Sequence, residues 1–162
     1  MLKMKALIIT FLSLCGLTTA YGETANNSIY LELGGNAAAY SVNYERNFER
    51  EWGLRMGLGA FKLDNRVEFA VPMMVNKYWG NSTSGYTSNH KLETGLGLVY
   101  FTADGKSRIF NDIHRNTLAA TASIGYRYLP KEKGLTFKVA FTPIVTNSYL
   151  LPWIGFSIGT TF

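Results

Sequence analysis

Apolar and polar residues alternate with a period of two along most of residues 28–162. Near the C-terminus, for example, Ile154, Phe156 and Ile158 share one side of the chain, and the residues between them are small or polar. This period is typical of a β-strand whose two faces meet different surroundings. Gly, Asn, Asp and Pro residues separate the alternating segments, as turns between strands require. The pattern predicts eight strands: residues 28–35, 38–48, 52–61, 67–79, 90–101, 117–129, 135–144 and 153–162.

The two faces of the predicted strands differ in composition. One face is apolar and has no charge in its central stretches. The other face holds glycines and charged residues, namely Gly34, Gly53, Gly57, Gly59, Gly95, Gly97, Gly125, Gly155 and Gly159, with Glu32, Glu45, Arg55, Glu68, Glu93, Arg127 and Lys138. Glycine weakens a strand that faces water, but inside a narrow barrel it makes room for long charged side chains. This composition predicts a barrel with its polar face inside.

The length of the chain limits the size of such a barrel. A chain of 162 residues supplies eight to ten strands of about ten residues, too few for the sixteen strands of a large pore. Because a lipid-facing charge costs about 2–4 kcal/mol at the bilayer midplane, the uncharged apolar face indicates contact with lipid. We predict an all-β fold, an eight-stranded antiparallel up-and-down transmembrane β-barrel. A soluble, lipocalin-like barrel with an apolar cavity is the less favoured alternative.

Three further features refine this prediction. The aromatic residues of the apolar face gather toward strand ends, as in the interface girdles of membrane barrels; they are Trp52, Trp79, Tyr100 and Tyr128. Lys77 is the charged exception on this face, and it falls near a strand end, where it can reach lipid headgroups. Pro72 lies inside the fourth predicted strand, where it predicts a bulge or a weak edge.

The first 22 residues have the pattern of a secretory signal peptide. Lys3 and Lys5 precede an apolar stretch, and small residues follow it. We predict cleavage after Gly22, with Ala20 as the second choice, so that residues 23–162 form the barrel. Cleavage removes the single cysteine, Cys15, and leaves 14 basic and 11 acidic residues. This small, unclustered charge gives no support to nucleic-acid binding, and a chain without cysteine has no disulfide.

Six stretches resemble the small bacterial outer-membrane β-barrel-domain family, which is OmpA/OmpX-like in architecture. They are ELGGN (32–36), YSVNYERNF (40–48), GLRMGLG (53–59), LETGLGL (92–98), GYRYLPKEKGLTFKVAFTPI (125–144) and PWIGFSIGTTF (152–162). The resemblance implies an integral protein of the bacterial outer membrane, with both chain ends in the periplasm and with lipids, including lipopolysaccharide, as partners. It also implies that Phe162 is the signal read by the outer-membrane insertion machinery. Thr160 departs from the bulky apolar residue usual two positions earlier.

The residues opposite each inward charge can be calculated, because the numbers of two opposite residues in an antiparallel hairpin have a constant sum. A sum of 100 places Glu45 opposite Arg55, and a sum of 265 places Arg127 opposite Lys138. A sum of 220 places Glu93 opposite Arg127, where it would balance the two neighbouring cations. These pairs predict a lumen network that plugs the barrel and fixes strand register. The alternative is a switchable gate in a small pore.

No residue pattern indicates catalysis or a bound cofactor or metal. His114 lies near Ser107 and Asp112, but all three fall within one long loop that offers no rigid placement. His90, at a strand start, has no partner at a metal-ligand spacing. We therefore predict a protein without enzymatic activity. An outer-membrane enzyme acting on lipid A acyl chains is the alternative.

Four loops are predicted at the outer end of the barrel, near Asn36, near Asp64, at 102–116 and at 145–151. The loop 102–116 is the longest and mixes basic with apolar residues. Its basic residues could contact lipopolysaccharide phosphates, and its apolar residues could contact an unknown protein partner. The sequence thus predicts a structural or surface-interaction role.

Overall fold

The structure is a computed structural model that describes residues 26–63, 66–80, 89–102, 117–146 and 150–162, with the backbone alone at 61–63 and 66–67. The predicted signal peptide (1–22), Asp64 and residues 103–116 lie outside the described residues. Within these ranges the chain is all-β apart from one short 3₁₀ helix, Gly35–Ala37. The strands are β1 (Asn27–Gly34), β2 (Tyr40–Phe48), β3 (Trp52–Leu63), β4 (Arg66–Trp79), β5 (His90–Phe101), β6 (Thr117–Tyr128), β7 (Gly134–Phe141), β8 (Ile144–Val145), β9 (Leu150–Leu151) and β10 (Ile154–Thr161).

Eight long strands form a closed antiparallel barrel. Their order is β5-β4-β3-β2-β1-β10-β7-β6, and β6 pairs back with β5 to close the sheet. The first and last strands are neighbours, with Ser28 opposite Thr161. The first and last described residues, Asn26 and Phe162, therefore lie at one end of the barrel, which we call the terminal rim; the opposite end is the far rim. The predicted eight-stranded up-and-down barrel is confirmed.

The two short strands, β8 and β9, continue the β7–β10 hairpin toward the far rim. Ile144 of β8 pairs with Thr121 of β6 in the same register that joins β6 to β7. The breaks between the long and short strands contain Pro143 and Pro152. Because proline has no N–H to give to a ladder, the two prolines account for the interruption of the strands at these points.

No bulge is found at Pro72, but the β3–β4 ladder is interrupted there, because neither Pro72 nor Val71 is paired with a residue of β3. The β3–β4 register is the same on both sides of Pro72, from Gly53 opposite Asn76 to Gly59 opposite Ala70. On its other side, β4 pairs with β5 without interruption, and Pro72 lies opposite Val99. The ladder is therefore weakened without a bulge, because a missing N–H removes hydrogen bonding from one ladder without requiring an extra residue.

Apolar side chains of the barrel wall point outward and polar side chains point inward, as predicted. Leu96, Phe156 and Phe137 point outward and are 73%, 57% and 44% exposed. The inward positions carry buried polar and charged groups. A soluble lipocalin-like barrel requires the reverse arrangement. The described part of the chain contains no helix with the length and apolar character needed to cross a membrane.

The turn near Asn36, predicted as an outer loop, folds into the barrel instead. Gly34 and Gly35 have positive φ values of 69° and 71°, which glycine adopts without steric cost. These angles turn the 3₁₀ helix inward, and Asn36 and Ala37 are fully buried. Ala37 packs there in an apolar cluster with Ala70, Val99, Phe101, Ala119 and Ile144. The far end of the lumen is therefore closed by apolar packing, a feature that the sequence analysis missed.

Candidate functional site

Six charged side chains form a continuous network across the lumen. Arg55 of β3 is paired with Glu32 of β1, and Lys138 Nζ of β7 lies 3.5 Å from a Glu32 carboxylate oxygen and 3.2 Å from Glu93. Arg127 of β6 then joins Glu93 of β5 to Glu45 of β2, with 3.1 Å between Arg127 Nη1 and Glu93. Positive and negative groups alternate along this chain. Three carboxylates and three cations leave it electrically balanced.

Neutral groups satisfy much of the remaining hydrogen-bonding capacity. The Tyr30 hydroxyl donates to Glu45 at 3.0 Å, the Asn76 amide donates to Glu45 at 2.7 Å, and the Tyr78 hydroxyl also donates to Glu45. The ring of Tyr30 lies 5.2 Å from the Arg127 guanidinium carbon, within the range of a cation–π contact. Every charged member of the network is at most 2% exposed. Charges this deeply buried require such partners, because desolvation otherwise exceeds their mutual attraction.

The inward turn ties the far end of the lumen to the network. Asn36 Nδ2 donates to Thr121 Oγ1 at 2.5 Å and to the Ala122 carbonyl at 3.3 Å. Its amide oxygen accepts a hydrogen bond from Arg55 Nη1 at 3.2 Å. Asn36 thus links Arg55 to the opposite wall on β6. The segment between β1 and β2 is held as an internal plug rather than as a free loop.

Glycines create the space that these side chains fill. A Cβ atom at Gly53 would overlap the Tyr78 hydroxyl and lie 2.5 Å from Glu45 Oε1. One at Gly57 would overlap the Asn43 amide and lie 2.9 Å from Pro72 Cγ. This is the role that the sequence analysis predicted for inward glycines.

One gap beside the network is too small for a water molecule. The gap beside Tyr30, Arg127 and Lys138 offers about 0 Å³ to a water-sized sphere. The ionic side chains and their neighbours are therefore closely packed around this gap.

Two of the three predicted pairings are found. Glu45 lies opposite Arg55, and Arg127 lies opposite Lys138. The prediction for Glu93 was wrong: it lies opposite Gly125, because the β5–β6 register is displaced by two residues from the predicted one. A shift of two keeps each side chain on its face, so Glu93 still reaches Arg127. The long loop between these strands left the register undetermined from sequence.

The remaining charged residues of the predicted site lie elsewhere in the lumen or were missed. Glu68 is buried at the far rim, where the Thr102 hydroxyl donates to it at 3.4 Å, and it takes no part in the six-residue chain. Lys91 was not predicted, although it faces inward opposite Arg127 and is 6% exposed. Lys91 lies two residues before Glu93 in β5 and therefore on the same face, and this spacing is the sequence signal that could have identified it. The neutral partners Tyr30, Asn36, Asn43, Asn76 and Tyr78 were also missed.

The predicted aromatic girdle residues lie on the outer surface at both rims. Trp52 and Trp79 are exposed at the terminal rim, Tyr128 is half-buried there, and Tyr100 is half-buried near the far rim. Phe162 is exposed, and its backbone exchanges hydrogen bonds of 2.8 and 3.0 Å with Asn27. The terminal residue is therefore anchored to the first strand, with its side chain on the outer surface.

Glu51 and Arg50 are two further titratable groups, and their described contacts are with other residues of the terminal rim. A hydrogen bond from Lys77 lowers the pKa of the Glu51 carboxyl, just before β3. Partial burial lowers the pKa of the Arg50 guanidinium, which donates to the Leu129 and Pro130 carbonyls at 2.7 and 2.9 Å. The described residues include no cluster of His, Cys, Asp and Glu that could hold a metal ion.

His90 packs at the same rim. Its Nδ1 lies 2.6 Å from the Tyr126 hydroxyl, and its ring contacts Tyr128 edge-on at 5.4 Å. The three residues that the sequence analysis considered as catalytic candidates, Ser107, Asp112 and His114, lie outside the described residues.

Comparison with known proteins agrees with this geometry. No protein-family model and no curated protein matches the chain. Among solved structures, it is similar to the N-terminal β-barrel domain of OprF from Pseudomonas aeruginosa, with a TM-score of 0.63 and 12% identity over 86% of this chain and 99% of that one. It is also similar to the outer membrane protein Ail of Yersinia pestis in phospholipid bilayer nanodiscs, with a TM-score of 0.50 and 14% identity over 84% and 98%. The chain therefore has the fold of the small eight-stranded outer-membrane β-barrels.

Proposed function

We propose that this protein is an integral outer-membrane β-barrel with a sealed lumen, a structural or surface-interaction role and no catalysis. The observation that carries the proposal is the buried, electrically balanced ionic network that crosses the lumen. A transport pathway would need to break several buried ion pairs, and removing one partner of such a pair costs about 3–5 kcal/mol.

The outer surface supports a place in a lipid bilayer. On the strands whose side chains are described, the outward-facing lysines and arginines are Arg46 and Lys77. Both lie two residues from the end of their strand at the terminal rim. This position lets their charged ends reach the headgroup layer and keeps the central belt free of charge.

Three partners follow from the proposal. Outer-membrane lipids, including lipopolysaccharide, surround the belt. The outer-membrane insertion machinery reads the terminal Phe162 during assembly, after a signal peptide of residues 1–22 has directed export. The loop 102–116 offers a surface for a protein partner, which crosslinking from that loop in intact cells would identify.

Fractionation and conductance test the proposal together. We expect the protein in the outer-membrane fraction, with a gel mobility that changes on heating, and no conductance steps in planar bilayers. An Arg127→Met variant tests the seal, and Lys133→Met, in an exposed turn, is its control. Steady channels from the wild-type protein would contradict the sealed lumen. Recovery in a periplasmic extract without detergent would contradict the membrane location.

A further inference from the structure

A groove of about 660 Å³ lies on the outer surface of the barrel, across β4, β5 and β6. The small outward side chain of Ala122 leaves this space, the backbone at Gly95 and Ser123 forms part of its floor, and larger apolar side chains such as Ile124 and Phe141 border it. The lining is almost wholly apolar. Its volume falls within the range of about 300–1,000 Å³ that small-molecule sites occupy.

Lys77 supplies a cation where the groove meets the terminal rim. Its Nζ lies 4.6 Å from the ring centre of Trp52 and 5.8 Å from that of Trp79, and all three residues line the groove. The Trp79 indole is held in place by a hydrogen bond of 2.8 Å to the Thr94 hydroxyl. Two indoles therefore flank one ammonium group at the end of an apolar groove.

The ammonium group of Lys77 can accept an additional anionic partner. Its described ion pair is with Glu51, 2.7 Å away, and the Glu51 side chain is 63% exposed. Ion pairs with so exposed a partner contribute little, and an ammonium has three donors. A phosphate can therefore bind beside Glu51 or in its place.

We propose that this groove binds one acyl chain of an anionic glycerophospholipid, with the lipid phosphate on Lys77 and the glycerol region between Trp52 and Trp79. The inference rests on the proposed membrane location, because a protein embedded in a bilayer is in continuous contact with such lipids. A single lining cation matches a lipid with one phosphate. A lipid with several phosphates, such as lipid A, would need more cations than the described lining residues provide.

Native mass spectrometry of the folded barrel, released from detergent, tests the proposal. The protein is incubated in parallel with phosphatidylglycerol, phosphatidylcholine and lipid A, and the retained lipid is counted. Lys77→Gln removes the cation, and its control is Arg46→Gln, which removes an outward cation at the same rim outside the groove. Ala122→Phe fills the groove, and its control is Ala120→Phe, on the same strand and face but outside the lining.

We expect one retained phosphatidylglycerol on the wild type and on both controls. Lys77→Gln should reduce its retention about five-fold, the effect of one basic residue near an anionic lipid surface. Ala122→Phe should reduce retention about ten-fold or more, because acyl methylenes lose their buried position. Equal retention in Lys77→Gln and Arg46→Gln, equal retention in the two alanine variants, or preferential retention of lipid A would overturn the proposal. Heat-modifiable gel mobility of every variant shows that its barrel is folded. Loss of lipid binding can then be distinguished from a wrong membrane location, because fractionation tests the location independently.

Discussion

Glu45 on β2 and Arg127 on β6 form an ion pair between opposite walls of the barrel. In the closed strand order, three strands separate β2 from β6 in either direction. Backbone hydrogen bonds join neighbouring strands alone, whereas this pair spans the full cross-section. The network therefore adds a second set of constraints, which connect opposite walls of the barrel.

Replacement of Arg127 by Met should lower the stability of the barrel. Glu45 and Glu93 would lose the guanidinium that balances them, and an uncompensated buried charge costs about 3–5 kcal/mol. Urea unfolding of the refolded protein in detergent micelles, followed by gel mobility, measures the change. Lys133→Met, in an exposed turn, should stay within about 0.5 kcal/mol of the wild type. Identical unfolding midpoints for the two variants would remove the network from any account of stability.

The pair formed by Arg55 and Glu32 should show strong energetic coupling. Arg55→Met leaves a buried carboxylate without its main partner, and Glu32→Gln leaves a buried guanidinium in the same state. The double variant removes both charges, so its loss of stability should be smaller than the sum of the single losses by about 1–3 kcal/mol. A double-mutant cycle measured by urea unfolding gives this number. The exposed pair of Lys77 and Glu51 provides the comparison cycle, in which weaker coupling is expected; additive losses at Arg55 and Glu32 would contradict the prediction.

The strand register was predicted correctly where the connecting loop is short and incorrectly where it is long. Between β2 and β3 a three-residue loop, Glu49–Glu51, fixes the hairpin geometry, and the predicted opposition of Glu45 and Arg55 is found. Between β5 and β6 the loop 102–116 imposes no such constraint, and the predicted register was wrong by two residues. The alternation still fixed the face of every strand, because an error of two preserves it.

Ion-pair partners were beyond what the sequence could specify. Arg55 lies opposite Glu45 in the ladder, yet its ion-pair partner is Glu32, two strands away. Partner choice depends on how the closed barrel brings distant walls together and on which side chains are long enough to cross the lumen. The inward turn at Asn36 likewise depends on three-dimensional closure. Period-two alternation carries neither kind of information.

The inward glycine at Gly125 should be far less tolerant of a methyl group than the glycine at the start of β7, Gly134. A Cβ there would overlap the Val139 carbonyl oxygen and lie 2.6 Å from Ala140 Cβ on the adjacent strand. Because the obstacle includes backbone, we expect Gly125→Ala to lower stability by about 1–3 kcal/mol. At Gly134 the nearest atom is Pro130 Cγ at 3.6 Å, so Gly134→Ala is the matched control and should have little effect. Equal unfolding midpoints for the two variants would mean that β6 and β7 separate more easily than the described contacts allow.

The turn between β2 and β3 should be improved by Glu49→Asn. Glu49 and Arg50 have φ values of 50° and 57°, in the left-handed region, which costs most residues about 1–2 kcal/mol and is more accessible to Asn. Arg50 is retained, because its guanidinium donates to the Leu129 and Pro130 carbonyls. We expect Glu49→Asn to raise the unfolding midpoint, with a gain of up to about 1 kcal/mol, measured by urea unfolding in micelles. Glu132→Asn removes the same charge from another exposed turn at this rim, without a positive φ, and should leave the midpoint unchanged. A gain shared by both variants would assign the effect to charge, and no gain in Glu49→Asn would show that the left-handed turn carries no strain.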